Sequence, residues 1–168
     1  MRDVFRDRPP RRLALDDAPF VLGLVNEPGW LEHIGDRGVR TLADAERYLR
    51  DGPLASYARH GHGLCHVALR ETGEPVGMCG LLRRDGLDVP DLGYAILERH
   101  HGRGYATEAA RATLNHARRD LGLTRVLAIT SAGNAASQRV LEKVGMRNEG
   151  TVTLADVGAP SVLFAIDL

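Results

Sequence analysis

One stretch constrains the fold more than any other. Asp91–Leu97 (DLGYAIL) reads as an apolar strand. It runs into His100–Ala109 (HHGRGYATEA), where two glycines flank an arginine just before a helical pattern begins. Ala106, Ala110, Thr113, Leu114, Ala117 and Leu121 mark the apolar face of that helix, and Gly122 stops it. Arg125–Thr130 then reads as a short buried strand. Strand, helix and strand in so little chain imply a parallel pair joined by a right-handed crossover.

The flanking segments surround that unit with antiparallel structure. Leu64–Arg70 alternates, with Cys65, Val67 and Leu69 on one face. Thr72-Gly73-Glu74 is a turn, Pro75–Leu82 the second strand of a hairpin, and Asp85–Pro90 a turn into Asp91. Downstream, Asn134–Val144 is a helix stopped by Gly145, and Arg147–Leu154 and Pro160–Asp167 are two closing strands. Upstream the texture is helical. Arg8–Arg12 is an extended lead-in, Leu13–Leu15 a short strand, and Asp16-Asp17 cap a first helix at Phe20–Val25. Pro28 and Gly29 interrupt it, and Trp30, Leu31 and Ile34 form a further turn. After a loop at Gly35–Arg40, Thr41 caps a second helix with Asp44 as its capping-box acid. Leu42, Ala45, Tyr48 and Leu49 are its expected buried face, and Leu54–Arg59 continues helically beyond Pro53. The expected class is α/β (α+β): a mixed, mostly antiparallel twisted sheet of about seven strands with helices on both faces.

Length and charge narrow the partners. At 168 residues the chain suits a single domain, 1–168, with helices at about 1–60 and a sheet-rich core at about 62–168. Lys plus Arg and Asp plus Glu both number 22, so there is no basic excess for nucleic acid or for an acidic membrane. No apolar run approaches a membrane span, and Met1–Arg12 holds no apolar signal segment, so the expected compartment is the cytoplasm. Cys65 and Cys79 form no CxxC pair and read as small core residues. His60, His62, Cys65 and His66 are dense, but strand alternation sends Cys65 away from His62 and His66, and no structural-zinc spacing is present; no metal is expected.

Glycine backbone and Arg103 at a helix start suit a phosphate. A nucleoside-triphosphate loop would need a lysine followed by Ser or Thr, which is missing. A dinucleotide fingerprint would need Gly or Ala where Thr107 stands. A plain glycine turn from strand to helix is the remaining rival.

Two segments together resemble the GNAT superfamily of N-acetyltransferases. Leu92–Leu97 followed by His101-Gly102-Arg103-Gly104-Tyr105-Ala106-Thr107-Glu108-Ala109 is similar to its acetyl-CoA loop. Asn134-Ala135-Ala136-Ser137 with Val140–Met146 is similar to its second cofactor motif. The combination is most similar to the branch holding the ribosomal-protein alanine and serine N-terminal acetyltransferases. The chain departs from the pattern at His101, where the family usually has Gln or Arg. It also carries Glu142 where many members carry a tyrosine acid.

The resemblance implies direct transfer of an acetyl group from acetyl-CoA to a primary amine in a ternary complex. The acceptor would be a protein N-terminus or a small molecule, and the enzyme a monomer or homodimer. It implies cofactor contacts from Ile96, Leu97, His101, Gly102, Arg103, Gly104, Tyr105, Ala106, Thr107, Asn134 and Ser137. The pantetheine arm would pair along the strand at Ile96 and Leu97, with an N–H near Leu97 facing the thioester oxygen. Ser137 is the implied acid. Asp91, Glu98 and His66 are candidate bases. Trp30, Ile34 and Tyr57 are the candidate acceptor contacts. A non-catalytic acyl-CoA sensor on the same fold is the alternative.

Overall fold

The computed structural model describes residues 10–168. The start of the extended lead-in, Arg8 and Pro9, lies outside the described residues. Among the described residues, seven strands form one sheet in the order β1-β2-β3-β4-β5-β7-β6. They are β1 (Arg11–Arg12), β2 (Leu64–Ala68), β3 (Pro75–Leu82), β4 (Asp91–Ile96), β5 (Arg125–Ser131), β6 (Arg147–Thr153) and β7 (Pro160–Asp167). All pairs are antiparallel except β4 with β5. That pair is the expected crossover. Its register places Asp91 opposite Leu127, and Leu127 N–H donates to Pro90 O at 3.1 Å. Among the described residues the pairing extends no further, so β4 and β5 part toward their C-terminal ends.

Period-2 alternation assigns each strand face to a layer. Leu92, Tyr94 and Ile96 of β4 and Val126 and Ala128 of β5 pack with α5 (Tyr105–Arg119) and with Leu141 of α6 (Ala135–Lys143). Ala95 and Met78 on the opposite face pack with α1 (Ala18–Leu24), α2 (Pro28–His33) and α3 (Leu42–Leu49). Helices thus cover both faces, and each layer is held by its own apolar cluster.

Several local expectations change. The first strand lies at Arg11–Arg12, before the expected Leu13–Leu15: Leu13 N–H donates to the Tyr57 hydroxyl at 2.9 Å instead of to a neighbouring strand, and Leu15–Asp17 is a short helical turn. The first helix does end before Pro28, at Leu24, and the further turn is α2, whose first position Pro28 takes because its missing N–H costs nothing there. The Thr41 and Asp44 side chains cap α3 reciprocally, as the spacing predicts. Leu42, however, points outward at 51% exposure, and the buried positions are Ala45 and Leu49. A wide helical turn at Arg50–Leu54 absorbs Pro53 and leads into α4 (Ala55–His60). β2 ends at Ala68, where the Gly73 turn closes back on Leu69.

Trp30 is 6% exposed and joins the cluster between α1, α3 and the sheet. Truncation there empties a large volume that backbone cannot refill. Trp30→Ala is expected to cost about 3–5 kcal/mol of stability, measured by denaturant titration.

Candidate functional site

The parting of β4 and β5 opens a cleft of about 1440 Å³ that reaches both faces of the sheet. Its lining includes Trp30, His33 and Ile34 of the α2 region, Tyr94 and Ile96 of β4, Gly102–Thr107 without Arg103, and Asn134 and Ser137 at α6.

At one end of the cleft lies the glycine loop. Gly102 and Gly104 hold φ of 73° and 82°, the left-handed region that an L side chain enters only at a cost. No heavy atom lies within 4 Å of where a Cβ would stand on either, so both glycines border open space. The first bond of the α5 ladder runs from Glu108 N–H to Gly104 O at 3.1 Å. The amides of Tyr105, Ala106 and Thr107 precede that ladder and carry the positive end of the helix. Arg103 is exposed beside them. A run of free N–H groups at a helix start is chemically suited to an anion.

Two histidines secure the loop. His101 Nε2 lies 2.7 Å from Ile96 O, and since a carbonyl only accepts, that nitrogen carries the proton. His100 is buried, with Nε2 3.0 Å from Glu74 Oε1 in the β2–β3 turn and its ring edge-on to Tyr105.

Along β4 the backbone groups alternate. Leu97 N–H donates to Val76 O at 2.8 Å, so that amide is committed to β3. By alternation the Ile96 N–H and C=O face the open side, which moves the free amide one residue back from Leu97. Tyr94 reaches from β4 to α6: its hydroxyl is 2.7 Å from Ser137 Oγ and 3.1 Å from Ser137 O. Burial pushes the Tyr94 phenol up to about 12, so it stays protonated at neutral pH. Asn134 caps α6, its Oδ1 accepting the Ser137 N–H at 3.1 Å.

The remaining candidates are scattered. Asp91 is 1% exposed at the end where β4 and β5 are still paired, and Arg84 Nε holds its Oδ2 at 2.9 Å. Burial raises its carboxyl above the usual range against the pull of Arg84. It therefore sits about 16 Å of strand away from Ile96. Glu98 lines the cleft, with Oε1 3.4 Å from Gly29 N, while its own N–H donates to Glu27 Oε2 at 2.9 Å. His66 is buried edge-on to Phe20, outside the cleft. Tyr57 lies behind the cleft, because its hydroxyl accepts from Leu13 N–H and donates to Leu64 O. Trp30 is a wall of the cleft, and Ile34 is 39% exposed at its rim. Among the described residues no group of three or more His, Cys, Asp or Glu side chains is arranged to hold a metal, and no helix is long and apolar enough to cross a membrane.

A split parallel pair, with a glycine-rich helix start at its mouth, also has a family. The model of the acetyltransferase (GNAT) domain matches residues 10–147. The chain belongs to the GNAT family. Among GNAT relatives, the uncharacterized N-acetyltransferase p20 of Bacillus licheniformis is 28% identical over 144 residues, covering 83% of this chain and 79% of the relative. The uncharacterized protein YkkB of Bacillus subtilis is 39% identical over 85 residues, 49% of each chain. The chain thus spans about half the length of several curated relatives it matches. The crystal structure of an acetyltransferase from Agrobacterium tumefaciens superposes with a TM-score of 0.78 at 27% identity, covering 94% of this chain and 89% of that one. This GNAT fold is the mixed, mostly antiparallel sheet that the element order predicts.

Three residues at the site carry a weak sequence signal or none. Tyr94 could be reached by counting two back from Ile96 along the strand. His100 sits beside the glycines but reads as surface. His33 sits on a six-residue helix with no motif around it.

Proposed function

We propose that the protein is a cytoplasmic N-acetyltransferase that moves the acetyl group of acetyl-CoA to a primary amine. The observation that carries this reading is the loop from Gly102 to Thr107: left-handed glycines, free helix-start amides and Arg103, all at the mouth of the β4–β5 split. The residues fit a diphosphate there, and the free N–H of Ile96 fits an amide-bearing arm entering the split, while its carbonyl already accepts from His101. When bound, acetyl-CoA supplies an activated thioester. The chain supplies the rest. The amides of Tyr105, Ala106 and Thr107 and the Arg103 guanidinium hold the diphosphate. The Ile96 N–H, left free by strand alternation, is the donor available to a thioester oxygen. The Asn134 carboxamide keeps its NH2 for the arm while its Oδ1 caps α6. Ser137 Oγ, steadied by the Tyr94 hydroxyl, is placed to protonate a departing thiolate.

The reading also divides the molecule by face. The α5–α6 face holds the donor, and the α1–α4 face receives the acceptor, a peptide N-terminus or a small-molecule amine. Ile34 tests this better than Trp30, because its exposure removes the folding penalty. Ile34→Ala is expected to raise the acceptor KM by roughly tenfold and leave the acetyl-CoA constant within about twofold in steady-state kinetics. Equal change in both constants would count against the division.

The whole reading is tested by incubating the protein with acetyl-CoA and panels of amines, reading released thiol and product mass. Acetylated product from at least one amine is expected. Tight acetyl-CoA binding with no turnover on any amine would make the protein a sensor instead.

A further inference from the structure

Direct transfer needs a neutral amine, and none of Asp91, Glu98 and His66 is well placed to deprotonate one. Asp91 is buried at the paired end of the split, and His66 lies under Phe20. Glu98 has its carboxylate turned to Gly29. Another titratable group does stand over the split. His33, the last residue of α2, reaches across to β5 and places Nδ1 3.1 Å from Ser131 Oγ. Counting four residues from the Asp91–Leu127 pair brings Ala95 and Ser131 abreast. Ser131 follows Leu127 and Ile129 on the face away from α5, so His33 comes to the split from the α1–α4 side. On the α5–α6 side the Tyr94–Ser137 hydroxyl pair spans the same split one residue earlier.

We propose that His33 is the general base of the transfer reaction, acting from the face opposite Ser137. The inference rests on the acetyltransferase reading and adds the missing proton acceptor to it. With Nδ1–H donated to Ser131 Oγ, the other ring nitrogen, Nε2, keeps its lone pair. Its near neighbour on α2 is Glu32, whose Oε2 is 3.7 Å away and 73% exposed on its side chain. The charged and titratable groups that share the cleft on surrounding elements are Glu27 before α2, Arg37 after it, Asp51 in the wide turn, Arg59 and His60 on α4, Arg83, Arg84 and Asp85 after β3, Glu98, His100 and His101 after β4, Arg139 and Lys143 on α6, and Asp156 between β6 and β7. His33 itself keeps 27% of its side chain exposed, enough for an acceptor to touch it.

His33 Nε2 takes one proton from the acceptor ammonium and later gives it to water. The freed nitrogen lone pair forms the N–C bond to the acetyl carbon, and the C–S bond breaks with its pair on sulfur. Ser137 Oγ gives sulfur a proton, and the surplus proton on the new amide nitrogen restores the serine through water.

The experiment compares wild type, His33→Gln and Ser131→Ala over pH 5–9, using an amine that the wild type acetylates. His33→Gln is expected to lower kcat about 10²-fold or more, with acetyl-CoA KM unchanged, and to erase the limb that the imidazole gives the pH profile of kcat/KM. Ser131→Ala is expected to keep that limb and lose severalfold in rate. An acceptor analogue of lower amine pKa needs less help, so the His33→Gln defect shrinks with it. Circular dichroism checks that both variants are folded. A folded His33→Gln protein with rate and pH profile within threefold of wild type overturns the proposal while leaving the acetyltransferase reading intact. A wild type that acetylates no amine in the panel overturns both.

Discussion

Gly104→Glu is expected to abolish acetyl-CoA binding, with the dissociation constant rising by 10²-fold or more in calorimetry. The reason is local. The Gly104 backbone lies at φ 82° immediately before α5, and nothing occupies the space where its Cβ would project. A glutamate there puts a carboxylate against the amides that would hold a diphosphate and repels the ligand's charge. Each charge-assisted hydrogen bond lost is worth about 1.5–3 kcal/mol, so losing two accounts for the expected effect. The left-handed backbone adds a strain of about 1–2 kcal/mol to any L residue, which acts on stability rather than on the ligand. Gly104→Ala carries the same strain without the charge. It should melt like Gly104→Glu and bind better. A folded Gly104→Glu protein with unchanged affinity would remove the loop from the donor site.

Ser137→Ala is expected to lower kcat by about 10²-fold and leave acetyl-CoA KM nearly unchanged. Ser137 holds two positions through different atoms. Its N–H is fixed by Asn134 Oδ1, so truncating the side chain leaves the cap of α6 in place. Its Oγ is fixed 2.7 Å from the Tyr94 hydroxyl, which spans the split from β4. Tyr94 can hand a hydrogen bond to Oγ and free the serine proton for sulfur, or turn to the Ser137 carbonyl at 3.1 Å. On the proposed role, the serine contribution would arise as negative charge builds on sulfur, with little of it beforehand. An acyl donor with a more acidic thiol should therefore shrink the defect. Pre-steady-state kinetics must show that chemistry limits turnover. If Ser137→Ala then stays within about twofold of wild type, the serine is packing.

What could be read from the chain and what could not follow from the range of the interactions. The β4–α5–β5 unit was legible because strand, loop and helix are contiguous and periodic, and the Thr41–Asp44 capping box because its two bonds span three residues. The glycine loop was legible for the same reason: its amides and its arginine lie in one hexapeptide. Other assignments depended on which distant residue takes a hydrogen bond. Leu97 N–H is committed to Val76, and only the β3–β4 register reveals it. Tyr57 reads as an aromatic for an acceptor site, yet Leu13 and Leu64 consume its hydroxyl. Leu42 fits the helical face by spacing, but no element covers it. His33 meets Ser131 across ninety-eight residues of chain. No pattern in α2 announces that contact.

The most direct measurement is a titration of acetyl-CoA into isotope-labelled protein, followed by amide chemical shifts. The largest shifts are predicted at Gly102–Thr107 and at Ile96, with Leu97, tied to Val76, moving less. Saturable binding that leaves those amides in place and moves others would contradict the assignment of this loop and split as the donor site.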